Sequence, residues 1–145
     1  MKAPVLKTDK EVAFHLFALK RLALADKTVL DSEKDCIYKI ANLYKIVLSM
    51  DCSLDELVAQ LDMTEEEFEA GLAELKSSPQ RAKLLIKDLV TTGLADNDYC
   101  EEERAMVSEV GRKVGLHPSL VHEIEFTAMR LNRAMRDMEV LIGQS

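Results

Sequence analysis

The chain is expected to be all-α, a compact bundle of about seven helices forming one domain. Three observations predict this. Leu, Ala, Glu and Lys are abundant, while five Gly, three Pro and no Trp occur in 145 residues, a composition that favours helices. Alternating runs of Val, Ile, Thr and Tyr, which half-buried strands require, are absent. Apolar residues instead recur at three- and four-residue spacing behind helix-start signals along most of the chain.

The elements follow in order. Thr8-x-x-Glu11 is a capping box opening a helix to about Ala25. Val12, Phe14, Leu16, Phe17, Leu19, Leu22 and Leu24 make that helix apolar nearly all round, so it is expected at the centre of the bundle. A second helix starts near Ser32 and shows Cys36, Ile37, Ile40, Leu43, Tyr44, Val47 and Leu48 on one face, stopping around Met50. Ser53-x-x-Glu56 and Thr64-x-x-Glu67 are two further capping boxes, each opening a short helix between residues 53 and 76. Ser78 then stands as N-cap with Pro79 in the first helical position, ahead of Ala82, Leu85, Ile86, Leu89, Val90 and Leu94. A helix from about Glu101 carries Met106, Val107, Val110 and Val114 and ends at Gly115. His117-Pro118 begins the longest helix, over 118–142, with Leu120, Ile124, Ala128, Leu131, Met135, Met138 and Leu141 as its apolar stripe. Arg130, Arg133 and Arg136 give that last helix a basic face, read here as solvated.

The net charge of −7 would be repelled by phosphate backbones, so no nucleic-acid partner is expected. The charge is uneven: residues 1–45 hold nine Lys/Arg against six Asp/Glu, and the remainder holds ten against twenty. That division suits docking onto another protein, and a homo-oligomer is compatible with it. Cys36, Cys52 and Cys100 form no CxxC pair, and their odd number fits reduced thiols rather than a disulfide framework. No run approaches the roughly 18–20 apolar residues that span a bilayer. His15, Lys20 and Arg21 also break the first apolar stretch as a signal segment, so a cytoplasmic location is expected.

The chain contains an internal repeat. A 70-residue offset pairs Leu19 with Leu89, Leu24 with Leu94, Ala25 with Ala95, Asp26 with Asp96, and Glu33 with Glu103. Asp31 faces Glu101, so the charge recurs where the residue type does not. The repeating unit is helix, acidic turn, helix, over about 10–50 and 79–115. In these turns, Ala25-Asp26 with Glu33 and Ala95-Asp96 with Glu103, the chain resembles the TerB-like family, all-helical domains named for bacterial tellurite-resistance proteins. The family pattern is an Ala-Asp-Gly turn after an apolar helix and, about seven residues later, a Glu opening the next helix. Its glycine is Lys27 in one copy and Asn97 in the other. The resemblance implies an all-α fold, and an accessory role in stress or tellurite resistance. It also implies acidic residues that form metal or partner sites.

Two readings of the acidic turns stand. In one, Asp26, Asp31, Glu33, Asp96, Asp98, Glu101 and Glu103 supply oxygen ligands for a divalent cation, Ca²⁺ or Mg²⁺ being favoured, bound weakly. The second turn is not an EF-hand loop: counted from Asp96, Glu101 stands where Gly is needed and Val107 where Glu is needed. In the other, the same residues cap turns and helix N-termini, and the protein is a pure interaction adaptor. Asp98 has Thr28 as its counterpart, so among these candidate ligands it is the carboxylate without a twin. Catalysis finds no support: the three histidines lack metal spacing, and no phosphate loop or nucleophile motif is present.

Overall fold

The computed structural model describes residues 8–23, 35–42, 63–95 and 99–143. Among these the chain is helical, with no strand. Helix α1 is Asp9–Ala23 and α2 covers 35–42. Helix α3 is Glu65–Glu74, continued by a 3₁₀ turn at Leu75–Ser77. Helices α4 (Pro79–Gly93), α5 (Glu101–Lys113) and α6 (Pro118–Gly143) complete the bundle. The helix expected from Ser53, and the first acidic turn with Asp26, Asp31 and Glu33, lie outside the described residues.

The helix starts follow local chemistry. The Thr64 hydroxyl accepts from Glu67 N–H at 3.1 Å, and the Glu67 carboxylate accepts from Thr64 N–H at 3.0 Å, a complete capping box. At Thr8 the hydroxyl accepts from Glu11 N–H. Ser78 occupies the N-cap place of α4, yet its side chain makes no capping bond there; Pro79 supplies the preset first turn instead. His117 opens α6 through its ring, where Nδ1 accepts from Ser119 N–H at 3.1 Å. Helix α5 closes on Gly115, whose φ of +82° suits glycine, as Leu116 N–H reaches back to Gly111 C=O.

The 70-residue offset carries the bounds of α1, Asp9–Ala23, onto those of α4, Pro79–Gly93. These two helices pack against each other and form the centre together, whereas the sequence pattern pointed to α1 alone. Helix α1 also meets α3 and α5, and α4 meets α5 and α6. The burial of α4 is hidden in sequence because it includes Asp88, Thr92 and Gly93 alongside Leu85, Ile86, Leu89 and Val90. Asp88 finds its partner across the helix pair. His15 Nε2 lies 2.7 Å from Asp88 Oδ2, with both side chains buried. At these two places the repeat has Leu85 and Ala18, so the polar pair breaks the symmetry of an otherwise apolar contact.

Helix α3 is tied to α1 by aromatic packing and charge. Phe68 stacks on Phe14 with centroids 5.6 Å apart and meets Phe17 edge-on at 5.7 Å. The Arg21 guanidinium covers the Phe68 ring at 4.6 Å and forks onto both Glu65 oxygens at 2.6 and 2.8 Å. That guanidinium holds Glu65 below its ordinary carboxylate range, and bonds from the Thr64 amide and hydroxyl do the same to Glu67.

The last helix departs most from expectation. Val121 is buried over Gly111 of α5, and Ile124, Ala128 and Met129 pack against the core. Leu131, Met135, Met138 and Leu141 of the apolar stripe are more than half exposed, together with Phe126, Val140 and Ile142. Length is the cause. At 26 residues α6 is about 39 Å long, against about 22 Å for the 15-residue α4 beneath it. The second half of α6 runs on after its described neighbours end.

Two tests follow from this packing. Removing the carboxylate in Asp88→Ala leaves His15 without that partner in the core and is expected to cost about 2–3 kcal/mol in urea unfolding. The double change His15→Leu with Asp88→Leu should recover much of that loss, since an apolar pair fits the surroundings. The depressed Glu65 and Glu67 carboxylates bind protons less readily folded than unfolded. Their stabilisation is therefore complete above the ordinary value of 4.5 and lost as pH falls below it. A pH series of thermal melts should show that acid limb, and Arg21→Gln should shrink it.

Candidate functional site around the second acidic turn

Five carboxylates lie between Leu94 and Glu103, and the fold gives those that are described different tasks. Asp96 and Asp98 lie outside the described residues. Glu101 and Glu102 are exposed in the first turn of α5, where the helix dipole favours negative charge. Bonds from its own amide and from Cys100 lower Glu102 from its ordinary range. Glu103 is only 2% exposed. Its Oε1 accepts from Cys100 N–H at 3.1 Å, closing a capping box in which Cys100 holds the place usually taken by Ser, Thr or Asp.

Gly93 makes that burial possible. A Cβ there would stand 2.8 Å from Tyr99 Cδ1 and 3.4 Å from Glu103 Oε2. Without it, the Tyr99 ring and the Glu103 carboxylate close onto the end of α4. Tyr99 then reaches across to α6, its hydroxyl donating to Glu125 Oε2 at 2.7 Å. Glu125 is 7% exposed and is also approached by Arg104 at 3.8 Å and His122 at 3.9 Å. Arg104 lies 5.3 Å from the Tyr99 ring centroid, so cation, ring and carboxylate form one cluster. Burial chiefly, then the bond to Glu125, raises the Tyr99 phenol well above its ordinary value. Burial likewise pushes the Cys100 thiol up to about 11, assisted by the Glu103 and Glu102 carboxylates.

Chemically the cluster is a latch. Glu103 and Glu125 hold α5 and α6 to the turn and already carry hydrogen bonds. Among the described residues no group of three or more His, Cys, Asp or Glu is arranged to hold a metal ion. Glu101 and Glu102 remain exposed on the surface at the start of α5. The bond between Glu125 and Tyr99 was not read from the sequence, which offered Glu125 only as a surface neighbour of His122. The available signal was a carboxylate four residues after Val121, inside the apolar stripe of α6.

Two substitutions separate the cap from a ligand role. Glu103→Ala empties a buried site and removes the acceptor of Cys100 N–H, at an expected cost of about 2 kcal/mol by thermal or urea unfolding. Glu103→Gln keeps an acceptor oxygen and should cost clearly less. The Cys100 thiol, with roughly one molecule in a thousand ionised at pH 8, should alkylate far more slowly than a free thiol. Mass spectrometry of the iodoacetamide-treated native protein checks this.

Residues 14–126 match the profile of the family described as tellurite resistance protein TerB. No curated protein and no solved structure matches the chain. The matched span takes in most of α1, all of α2–α5 and the first third of α6, and it stops at Phe126, before the exposed half of α6. The helical fold and a match over most of the chain agree, and the protein belongs to the TerB family.

Proposed function

We propose that this protein is a non-catalytic cytoplasmic accessory protein that acts by docking other proteins, in the stress or tellurite-resistance setting that its family name suggests. Its docking face is the second half of α6. One observation carries this reading. Six large apolar side chains from Leu131 to Ile142 of α6, and Phe126 just before them, are 55–75% exposed. Scattered exposed apolar residues are ordinary, but a contiguous set on one helix marks an interaction surface. A groove of about 920 Å³ between α4 and α6, lined by Leu84, Leu120, Ile124, Ala128 and Leu131 with Lys83 and Lys87 at its edge, leads into that set.

In this reading the acidic turns are structural, as the buried capping role of Glu103 supports. Divalent-cation binding through Asp96, Asp98 and Glu101, with Ca²⁺ or Mg²⁺ favoured, is the competing account. Among the described residues no helix is long and apolar enough to cross a membrane, which agrees with partners met away from a bilayer span.

The test pairs two measurements. Affinity capture from source-cell extract should lose its specific partners when Met135→Glu and Met138→Glu are introduced together, with the melting temperature unchanged. Glu101→Gln with Glu102→Gln should leave capture intact. Calorimetric titration with Ca²⁺, Mg²⁺, Mn²⁺ and Zn²⁺ should show no binding tighter than millimolar. A tighter isotherm abolished by Asp96→Asn with Asp98→Asn would establish the cation account instead.

A further inference from the structure

We infer that the free half of α6 is occupied by the same half-helix of a second copy of this chain, the two running antiparallel. The inference rests on the docking-face reading of α6 and names its occupant. Along α6, Val121, Ile124, Ala128, Leu131, Met135, Met138 and Ile142 follow one another at spacings of three and four without interruption. That is the seam of a two-stranded helical contact. Its first part is used inside the protein: Val121 is buried, and Ile124 and Ala128 pack against the core. From Leu131 onward the same seam continues with each of its large side chains more than half exposed. Ala134 and Leu141 flank the seam on one side, so a facing helix would meet apolar surface there too.

The charges choose the occupant and its direction. Residues 130–143 carry Arg130, Arg133 and Arg136 followed by Asp137 and Glu139, basic first and acidic second. Two such segments laid parallel would set Arg136 beside Arg136 and Glu139 beside Glu139. Laid antiparallel, Leu131 packs opposite the partner's Ile142 and Met135 opposite the partner's Met138. Arg136 then comes within reach of the partner's Glu139, and symmetry repeats that pairing on the other side of the dyad. The segment is also locally basic within a chain of net charge −7, so a second copy can approach here without the repulsion that the acidic remainder would impose. The contact would bury on the order of 1,000 Å² in total, the lower end for specific interfaces, so a reversible micromolar dimer is expected.

Sedimentation velocity over a concentration series of the full chain tests this. The expected result is a monomer–dimer equilibrium that Met135→Glu with Met138→Glu converts to monomer while the helical spectrum and melting temperature stay unchanged. Arg136→Glu should weaken the dimer several-fold, and adding Glu139→Arg should restore it. Direction is read by oxidative cross-linking, with the unmodified chain as background for its own cysteines. A mixture of Leu131→Cys and Ile142→Cys chains should cross-link to each other far faster than either links to itself. Faster self-linking would overturn the antiparallel arrangement. A monomer at every concentration would overturn the second copy as occupant. The two readings fail separately. If the chain stays monomeric but the Met135/Met138 change still abolishes partner capture, the docking face stands and its occupant is another protein. If that change alters neither, both readings fall.

Discussion

The missing side chain at Gly93 is the constraint on which much of the described structure depends. A Cβ at that position would collide with the Tyr99 ring and crowd the Glu103 carboxylate. Because it is absent, α5 can start close against the end of α4 with its third residue buried as a cap. That closeness brings Tyr99 within 2.7 Å of Glu125, and Glu125 in turn draws in Arg104 and His122. A buried carboxylate is tolerable only with such partners, since an unpaired one would be expensive to desolvate. The placement of α6 against α5 thus traces back through two hydrogen-bonded carboxylates to one glycine at the end of α4.

This clamp also explains why carboxylates within one short stretch differ so much. Glu101 and Glu102 face solvent in the first turn of α5, where the dipole favours them without requiring contact. One position later the helix has turned toward α4, and Glu103 is enclosed. Their spacing in sequence left both Glu101 and Glu103 as candidates for a cation. Rotation by about 100° per residue made them unequal. A carboxylate already accepting from an amide inside the protein is a poor ligand for an ion outside it, so capping accounts for Glu103.

Much of the helical order was legible because local rules governed it. The capping box at Thr64 and Glu67, Pro79 in the first turn of α4, and the positive φ of Gly115 each follow from residues a few places apart. The 70-residue offset likewise relates the bounds of α1 to those of α4. Contacts between distant residues were not legible in this way. His15 and Asp88 are 73 positions apart, and each looked like an interruption of an apolar helix until the two met. Tyr99 and Glu125 are another such pair. The exposure of the outer half of α6 was not legible for a related reason. Periodicity reveals which face of a helix is apolar, but it does not say how far the neighbouring helices extend to cover it.

That distinction between an apolar face and a covered one bears on how α6 works. Its first half is held by Val121 over Gly111, by Ile124 and Ala128 against the core, and by the Glu125 latch. Its second half has no comparable anchors among the described residues, yet keeps the same seam without a break. A helix shorter by three turns would satisfy every buried contact made by the first half. The extra length exposes apolar side chains to water, a hazard for aggregation unless something covers them. The family match ends at Phe126, five residues before Leu131, where this exposed seam begins. The span matched by the family and the exposed apolar face therefore adjoin on one helix, and substitutions in the outer half are placed to change that face without disturbing the bundle that supports it.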